Sequence, residues 1–388
     1  MSGIARRFQP WLRARQTEHR YRRTPLITSA VGHRVQLNGR WVINFAANDY
    51  LGLSEDDSLR QAVCGDSQAS FGSGAAHLIS GHHLHHHLLQ DELADWLGVE
   101  GVLLFSTGYM ANMAVQQALM QRGDTLIHDK LNHASLLDGA RLSEASLKRY
   151  AHADMRALAR RLQQADGQAL IVSDGVFSMD GDVAPLPQMM ALKEQHAAWL
   201  LLDEAHAFGV VGATGRGTFE YFAYEPDADT LRVGTLGKAF GVFGAFVAGT
   251  QVAIETLINR ARPWIYTTAL PPANALAARI ALKRVQQADA ARDHLKQLIS
   301  HFRAAAKQIG LTLLPSFTPI QPLLLGDDAR ALHWSRQLLT AGFYVPAIRP
   351  PTVPKGRARL RITFSARHTF DQVDRLLEAL EGCLRAES

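Results

Sequence analysis

At 388 residues with 47% hydrophobic content, the chain can bury a large core, which excludes a disordered protein and makes two structural domains the first expectation. Lysine plus arginine outnumber aspartate plus glutamate by 41 to 36, an excess that suits anionic small molecules. No basic patch interleaved with aromatics accompanies it, so no nucleic-acid partner is expected.

The chain opens on an arginine-rich stretch in which Arg6, Arg7, Arg13, Arg15, Arg20, Arg22 and Arg23 face only Glu18, the pattern of a solvated face. No apolar leader run occurs there, and no later segment reaches the roughly 18 uninterrupted apolar residues of a membrane span, so no membrane partner is expected. Cys64 and Cys383 lie far apart and outside any metal-ligand spacing, which indicates no disulfide framework and a cytoplasmic location. Gly72-Ser73-Gly74-Ala75-Ala76-His77 lacks the third glycine or alanine of a dinucleotide fingerprint and follows no clear strand. His82, His83, His85, His86 and His87 invite a metal, yet no carboxylate or cysteine cluster completes a site, and no metal is expected. Leu84, Leu88, Asp91 and Asp95 separate apolar from polar faces at helical spacing.

From about residue 90 to 250, short apolar runs alternate with helix-period stretches, the pattern of strands joined by crossover helices in a largely parallel sheet. The candidate strands are Val102 to Phe105, Leu126 to His128, Leu170 to Ser173, Trp199 to Asp203, Arg232 to Thr235 and Ala245 to Ala248, all apolar on both faces. Asn112 to Gln121 reads as a helix among them. After Pro271-Pro272 a long alanine-rich helix is expected to about Lys307, then strand, helix, strand, strand and a last helix near Phe370 to Leu384. The predicted class is α/β, with an N-terminal segment 1–45, a large α/β domain 46–272 and a smaller α+β domain 273–388.

Two segments carry the chemistry. Trp199-Leu200-Leu201-Leu202-Asp203-Glu204-Ala205-His206 runs an apolar strand into an acid at its C-terminal end, where open α/β sheets bind ligands. Val233-Gly234-Thr235-Leu236-Gly237-Lys238-Ala239-Phe240-Gly241 carries another strand into a glycine-bracketed lysine. Pyridoxal phosphate needs a lysine amine for its aldehyde and an acid facing its ring nitrogen. Lys238 and Asp203 supply that pair, the carboxylate keeping the nitrogen protonated so that the ring can accept electrons released at a substrate Cα. A phosphate-loop reading of Lys238 fails, because Arg232 and Ala239 stand where glycine and Ser or Thr are needed. Ser106-Thr107-Gly108-Tyr109, between strand and helix, reads as a phosphate cradle or as a plain cap by Thr107, and Thr235 could add a hydroxyl. His133 reaches the same sheet edge, where an imidazole could stack on a flat ring or serve structure alone.

Several motifs together resemble the α-oxoamine synthase family of fold-type I pyridoxal-phosphate enzymes, over essentially the whole chain. They are Asn48-Asp49-Tyr50-Leu51-Gly52, Asp174-Gly175-Val176-Phe177-Ser178-Met179-Asp180-Gly181-Asp182, Asp203-Glu204-Ala205-His206 and Thr235-Leu236-Gly237-Lys238. The run Ala347-Ile348-Arg349-Pro350-Pro351-Thr352-Val353-Pro354 looks most like the biotin-pathway branch. The resemblance implies a decarboxylative condensation of L-alanine with pimeloyl-CoA or a pimeloyl carrier protein. It also implies a homodimer in which Tyr266, Thr267 and Thr268 reach the neighbour's cofactor. By the same resemblance Lys238 holds the cofactor, Asp203 pairs with its nitrogen, His206 with its ring oxygen, and His133 stacks on its face. Gly108, Tyr109, Ser178 and Thr235 complete its binding. Arg349 grips the amino-acid carboxylate, Thr352 and Arg22 touch substrate, and Asn48 lies near. Branches of the glycine C-acetyltransferase, 5-aminolevulinate synthase and serine palmitoyltransferase types stay open, as do an aminotransferase and a non-catalytic partner subunit.

Overall fold

The apolar runs pair into one seven-stranded sheet in a computed structural model that describes residues 2–387. The spatial order is Gly101–Phe105, Ala245–Gly249, Thr230–Thr235, Trp199–Asp203, Ala169–Asp174, Thr125–Asp129 and Ser146–Tyr150. Ala245–Gly249 is antiparallel to both its neighbours, and the remaining pairs are parallel. Side chains alternate along each strand, so Leu103, Leu126, Leu170 and Leu201 enter one core while Ile127, Ile171, Leu200 and Leu202 enter the other. Each such burial contributes about 1.5–3 kcal/mol, and double-sided burial is why these strands read as continuous apolar runs. The predicted α/β class holds.

Ser146–Tyr150 escapes the sequence reading for a physical reason. It is an edge strand paired on one side only, with Ser146, Leu147 and Arg149 exposed, and Lys148 and Arg149 blunt that edge. The helix expected from Asn112 begins earlier, at Gly108, because Thr107 Oγ1 accepts the Met110 N–H at 3.2 Å; it spans Gly108–Leu119. The single long helix expected after Pro271-Pro272 is two, Pro272–Gln286 and Asp289–Gln308. Buried Arg292 stabilises the break by donating to the Val285 carbonyl at 2.8 Å and pairing with Asp289.

The chain divides into a larger unit, residues 49–178 with 182–293, and a smaller one, residues 1–48 with 179–181 and 294–388. Helix Pro272–Gln286 packs on Leu84–Leu97 and Asp57–Gly65, which keeps it with the larger unit, beyond the boundary at 272 expected from sequence. The N-terminal residues stay with the C-terminal ones because Arg40–Asn44 pairs in parallel with Phe343–Tyr344. A second sheet of the smaller unit orders Ile320–Gly326, Ala358–Thr363 and Ala347–Ile348, all antiparallel. No helix among the described residues is long and apolar enough to cross a membrane.

Candidate active site

Parallel pairing aligns the C-terminal ends of four neighbouring strands, and those ends are Asp129, Asp174, Asp203 and Thr235. Asp174 and Asp203 are register partners on adjacent strands. Asp203 is 5% exposed; its Oδ1 accepts the Ala205 N–H at 2.9 Å and its Oδ2 accepts Asn112 Nδ2 at 2.6 Å. A buried carboxylate held by hydrogen-bond donors is suited to face a cationic group. Asp174 Oδ2 accepts the His133 N–H at 2.7 Å, and burial together with the neighbouring Asp203 raises its pKa well above the carboxylate range.

Lys238 follows strand Thr230–Thr235 in a tight turn, its carbonyl accepting the Gly241 N–H at 3.0 Å. Gly241 has φ +66°, and a Cβ there would lie 2.3 Å from the Ser54 nitrogen, so this turn needs glycine. The lysine's charge is felt by both His133 and Asp174, as is that of Asp203, which puts these groups in one electrostatic neighbourhood. His133 caps helix Ala134–Leu142, and its Nδ1 lies 2.7 Å from Ser135 Oγ. Desolvation lowers its pKa; Asp203 opposes this and Lys238 adds to it. His206 is buried, with Nδ1 2.5 Å from the Tyr50 hydroxyl.

Gly108 and Thr235 are in contact range, since a Cβ on Gly108 would come within 2.7 Å of Thr235 Cγ2. Helix Gly108–Leu119 starts there with its first amides available to an anion, and Tyr109 is tied to Asp138 through its hydroxyl. Ser178 is half-buried at the end of the segment that follows Asp174. Thr268 and Tyr266 are exposed and make no hydrogen bond to this network among the described residues.

The predicted substrate residues gather in the smaller unit. Arg22 Nη2 donates to Thr352 Oγ1 at 3.4 Å, and Arg349 donates to the His19 carbonyl while its Nε is buried without a partner among the described residues. Desolvation lowers the Arg349 pKa, with Arg22 and Arg336 adding to the effect against Asp328. Like charges held this way favour an anion. Asn48 Oδ1 accepts from buried Arg361 at 3.1 Å.

Sequence reasoning missed Asn112, Ser135 and Arg361, and it placed Tyr50 in a family motif without giving it a role. Of these three, Asn112 left a signal, as one of two amides, with Gln116, among the buried Ala111, Ala114, Val115 and Ala118 of its helix. Outside the site, His77, His82 and His86 each bring one ring nitrogen within 4.8 Å of the others. His86 donates from Nε2 to the Leu270 carbonyl at 2.6 Å and accepts the His83 N–H at Nδ1, and His77 stacks on Trp264, so packing and hydrogen bonds account for the group.

The family model for class I and II aminotransferases matches residues 40–380. The chain is 58% identical to an 8-amino-7-oxononanoate synthase of Hydrogenovibrio crunogenus, over 99% of this chain and 97% of that one. It is similar to serine palmitoyltransferase from S. paucimobilis solved with bound PLP, at 28% identity, TM-score 0.92 and 99% coverage of both chains. It is also similar to the solved 8-amino-7-oxononanoate synthase of Francisella tularensis, at 33% identity and TM-score 0.77, covering 89% of this chain and 98% of that one. The Asp203 and Lys238 pair anticipated from sequence thus sits in a fold whose solved relatives carry pyridoxal phosphate, and the chain belongs to the class I and II aminotransferase family, on its 8-amino-7-oxononanoate synthase branch.

Proposed function

We propose that the chain joins L-alanine to a pimeloyl thioester with loss of carbon dioxide, giving 8-amino-7-oxononanoate and a free thiol. The observation that carries the cofactor chemistry is the buried Asp203 carboxylate, which accepts two hydrogen bonds and shares one electrostatic neighbourhood with His133 and Lys238. Relatives named for the oxononanoate reach 58% identity against 28–32% for the solved palmitoyltransferases, which supports alanine and a pimeloyl donor over the sister reactions.

When bound, pyridoxal phosphate supplies an electron-accepting ring conjugated to the substrate amine. In this reading Lys238 holds the cofactor, and its Nζ, once released, takes the proton from the alanine Cα. Asp203 keeps the ring nitrogen protonated, His206 meets the ring oxygen and His133 covers one face. The Gly108 and Tyr109 amides, with the Ser178 and Thr235 hydroxyls, hold the phosphate. Arg349 suits the alanine carboxylate because its planar fork binds two oxygens at once, and Arg22, Thr352 and Asn48 surround the substrate. A homodimer is part of the proposal, with Thr268 serving the neighbour's cofactor, and so is a cytoplasmic location, supported by two free cysteines.

The test is thiol release. Purified protein given L-alanine and pimeloyl-CoA or pimeloyl carrier protein liberates free thiol, whereas L-alanine with a 2-oxo acid gives no amino transfer. Amino transfer without thiol release would contradict the reading.

A further inference from the structure

We infer that Asn112 and Ser135 are positioning residues that tie the Asp203 carboxylate to the His133 ring and hold that ring as the tautomer protonated on Nε2. The inference rests on the proposed cofactor site and adds to it two residues to which the sequence reading gave no role in the site.

Both residues are buried, Asn112 at 1% and Ser135 at 0% exposure. Asn112 Nδ2 donates to Asp203 Oδ2 at 2.6 Å and to Ser135 Oγ at 2.9 Å. Its Oδ1 is buried with no partner among the described residues. Turning the amide over would aim Oδ1 at the Asp203 carboxylate, acceptor against acceptor, so the carboxylate dictates the orientation even though one amide atom goes unsatisfied. Ser135 Oγ already accepts from Asn112, which directs its single proton to His133 Nδ1, 2.7 Å away. The Ser135 backbone N–H also donates to Nδ1, at 3.3 Å. With two donors aimed at it, Nδ1 is the acceptor, and the neutral ring keeps its proton on Nε2.

Close helix packing makes the chain of bonds feasible. Gly139, on the helix that carries Ser135, lies against Gln116 and Asn112, where a Cβ would come within 2.6 Å of Gln116 Nε2 and 2.9 Å of the Asn112 carbonyl. Gln116 Nε2 then bridges the helices by donating to the Asn112 carbonyl at 3.1 Å and the Leu136 carbonyl at 2.9 Å. The consequence is chemical. His133 presents a donor, suited to a substrate carboxylate or thioester oxygen, and leaves proton abstraction to Lys238.

Long-range ¹H–¹⁵N correlation on histidine-labelled, cofactor-loaded protein reads the tautomer directly, with His133→Asn assigning the signal. Wild type is expected to show a bare Nδ1 and a protonated Nε2. Ser135→Ala and Asn112→Ala each shift His133 towards mixed tautomers, and Ser135→Thr, which keeps the hydroxyl, retains the wild-type pattern; either alanine variant suffices if the other does not fold. A proton on Nδ1 in wild type, or an unchanged signal in the alanine variants, overturns the inference. Wild-type protein that shows no cofactor absorbance and no borohydride label on Lys238 overturns the underlying cofactor reading instead, whatever the tautomer.

Discussion

Asp203 stands at the end of a five-residue strand buried on both faces, whereas Arg349 follows a two-residue strand in the smaller unit and donates to a backbone carbonyl of the N-terminal segment. Around Asp203, Asn112, Ser135, His133 and Asp174 are fixed by buried and part-buried hydrogen bonds at the ends and faces of regular elements. Around Arg349, Arg22 and Thr352 are exposed and joined by one contact of 3.4 Å. On the proposed reading the difference separates two demands: a resident cofactor needs a preorganised frame, and a substrate that comes and goes is met by side chains on irregular backbone.

Removing one residue from each region should have distinct effects. Lys238→Ala should lower turnover by about 10²–10⁴-fold or more, since it deletes the proposed base as well as the cofactor anchor, while the circular dichroism spectrum stays unchanged. Turnover within a few-fold of wild type would contradict the assignment. Arg349→Ala should instead raise the KM for alanine by roughly 10- to 150-fold, the equivalent of about 1.5–3 kcal/mol for hydrogen bonds to a charged group, with the cofactor retained. Loss of cofactor from that variant would dissolve the distinction between the two regions.

A gentler probe of the strand-end frame is His152, whose ring lies between Asp129 (3.1 Å) and Asp182 (2.7 Å). Desolvation opposes its charge, but the two carboxylates prevail and raise its pKa to about 10. With the folded value above the unfolded one, the imidazolium's contribution to stability is fully present below about pH 6.5 and is lost as pH rises through about 10. Denaturant melts should therefore find His152→Ala less stable than wild type by about 1.5–3 kcal/mol near pH 6, with the gap closing towards pH 10. A gap that does not depend on pH would show that the ring works by packing alone. The smallest effect is expected at Thr107→Ala, which removes the cap of helix Gly108–Leu119 and should cost about 1 kcal/mol in the same melts.

What could be read in the sequence follows the same divide. Trp199–Asp203 and the segment from Val233 to Lys238 announce themselves because a strand covered on both faces is an uninterrupted apolar run, and its polar terminus stands out. Asn112 and Ser135 stay hidden because their meaning lies in a pairing between separate helices that no local pattern encodes. Strand Ser146–Tyr150 is hidden by its edge position, and the break at Gln287 and Ala288 by a capping arginine that continues helical periodicity. Arg349, Thr352 and Arg22 were legible only through the resemblance of the Arg349 to Pro354 run and of the N-terminal segment, since irregular backbone leaves no periodic signature.

Reduction with borohydride followed by peptide mapping shows whether Lys238 bears the cofactor opposite Asp203. The expected result is a cofactor absorbance band that borohydride abolishes, with the reduced label on Lys238 alone. A colourless protein, or a label on any other lysine, would contradict it.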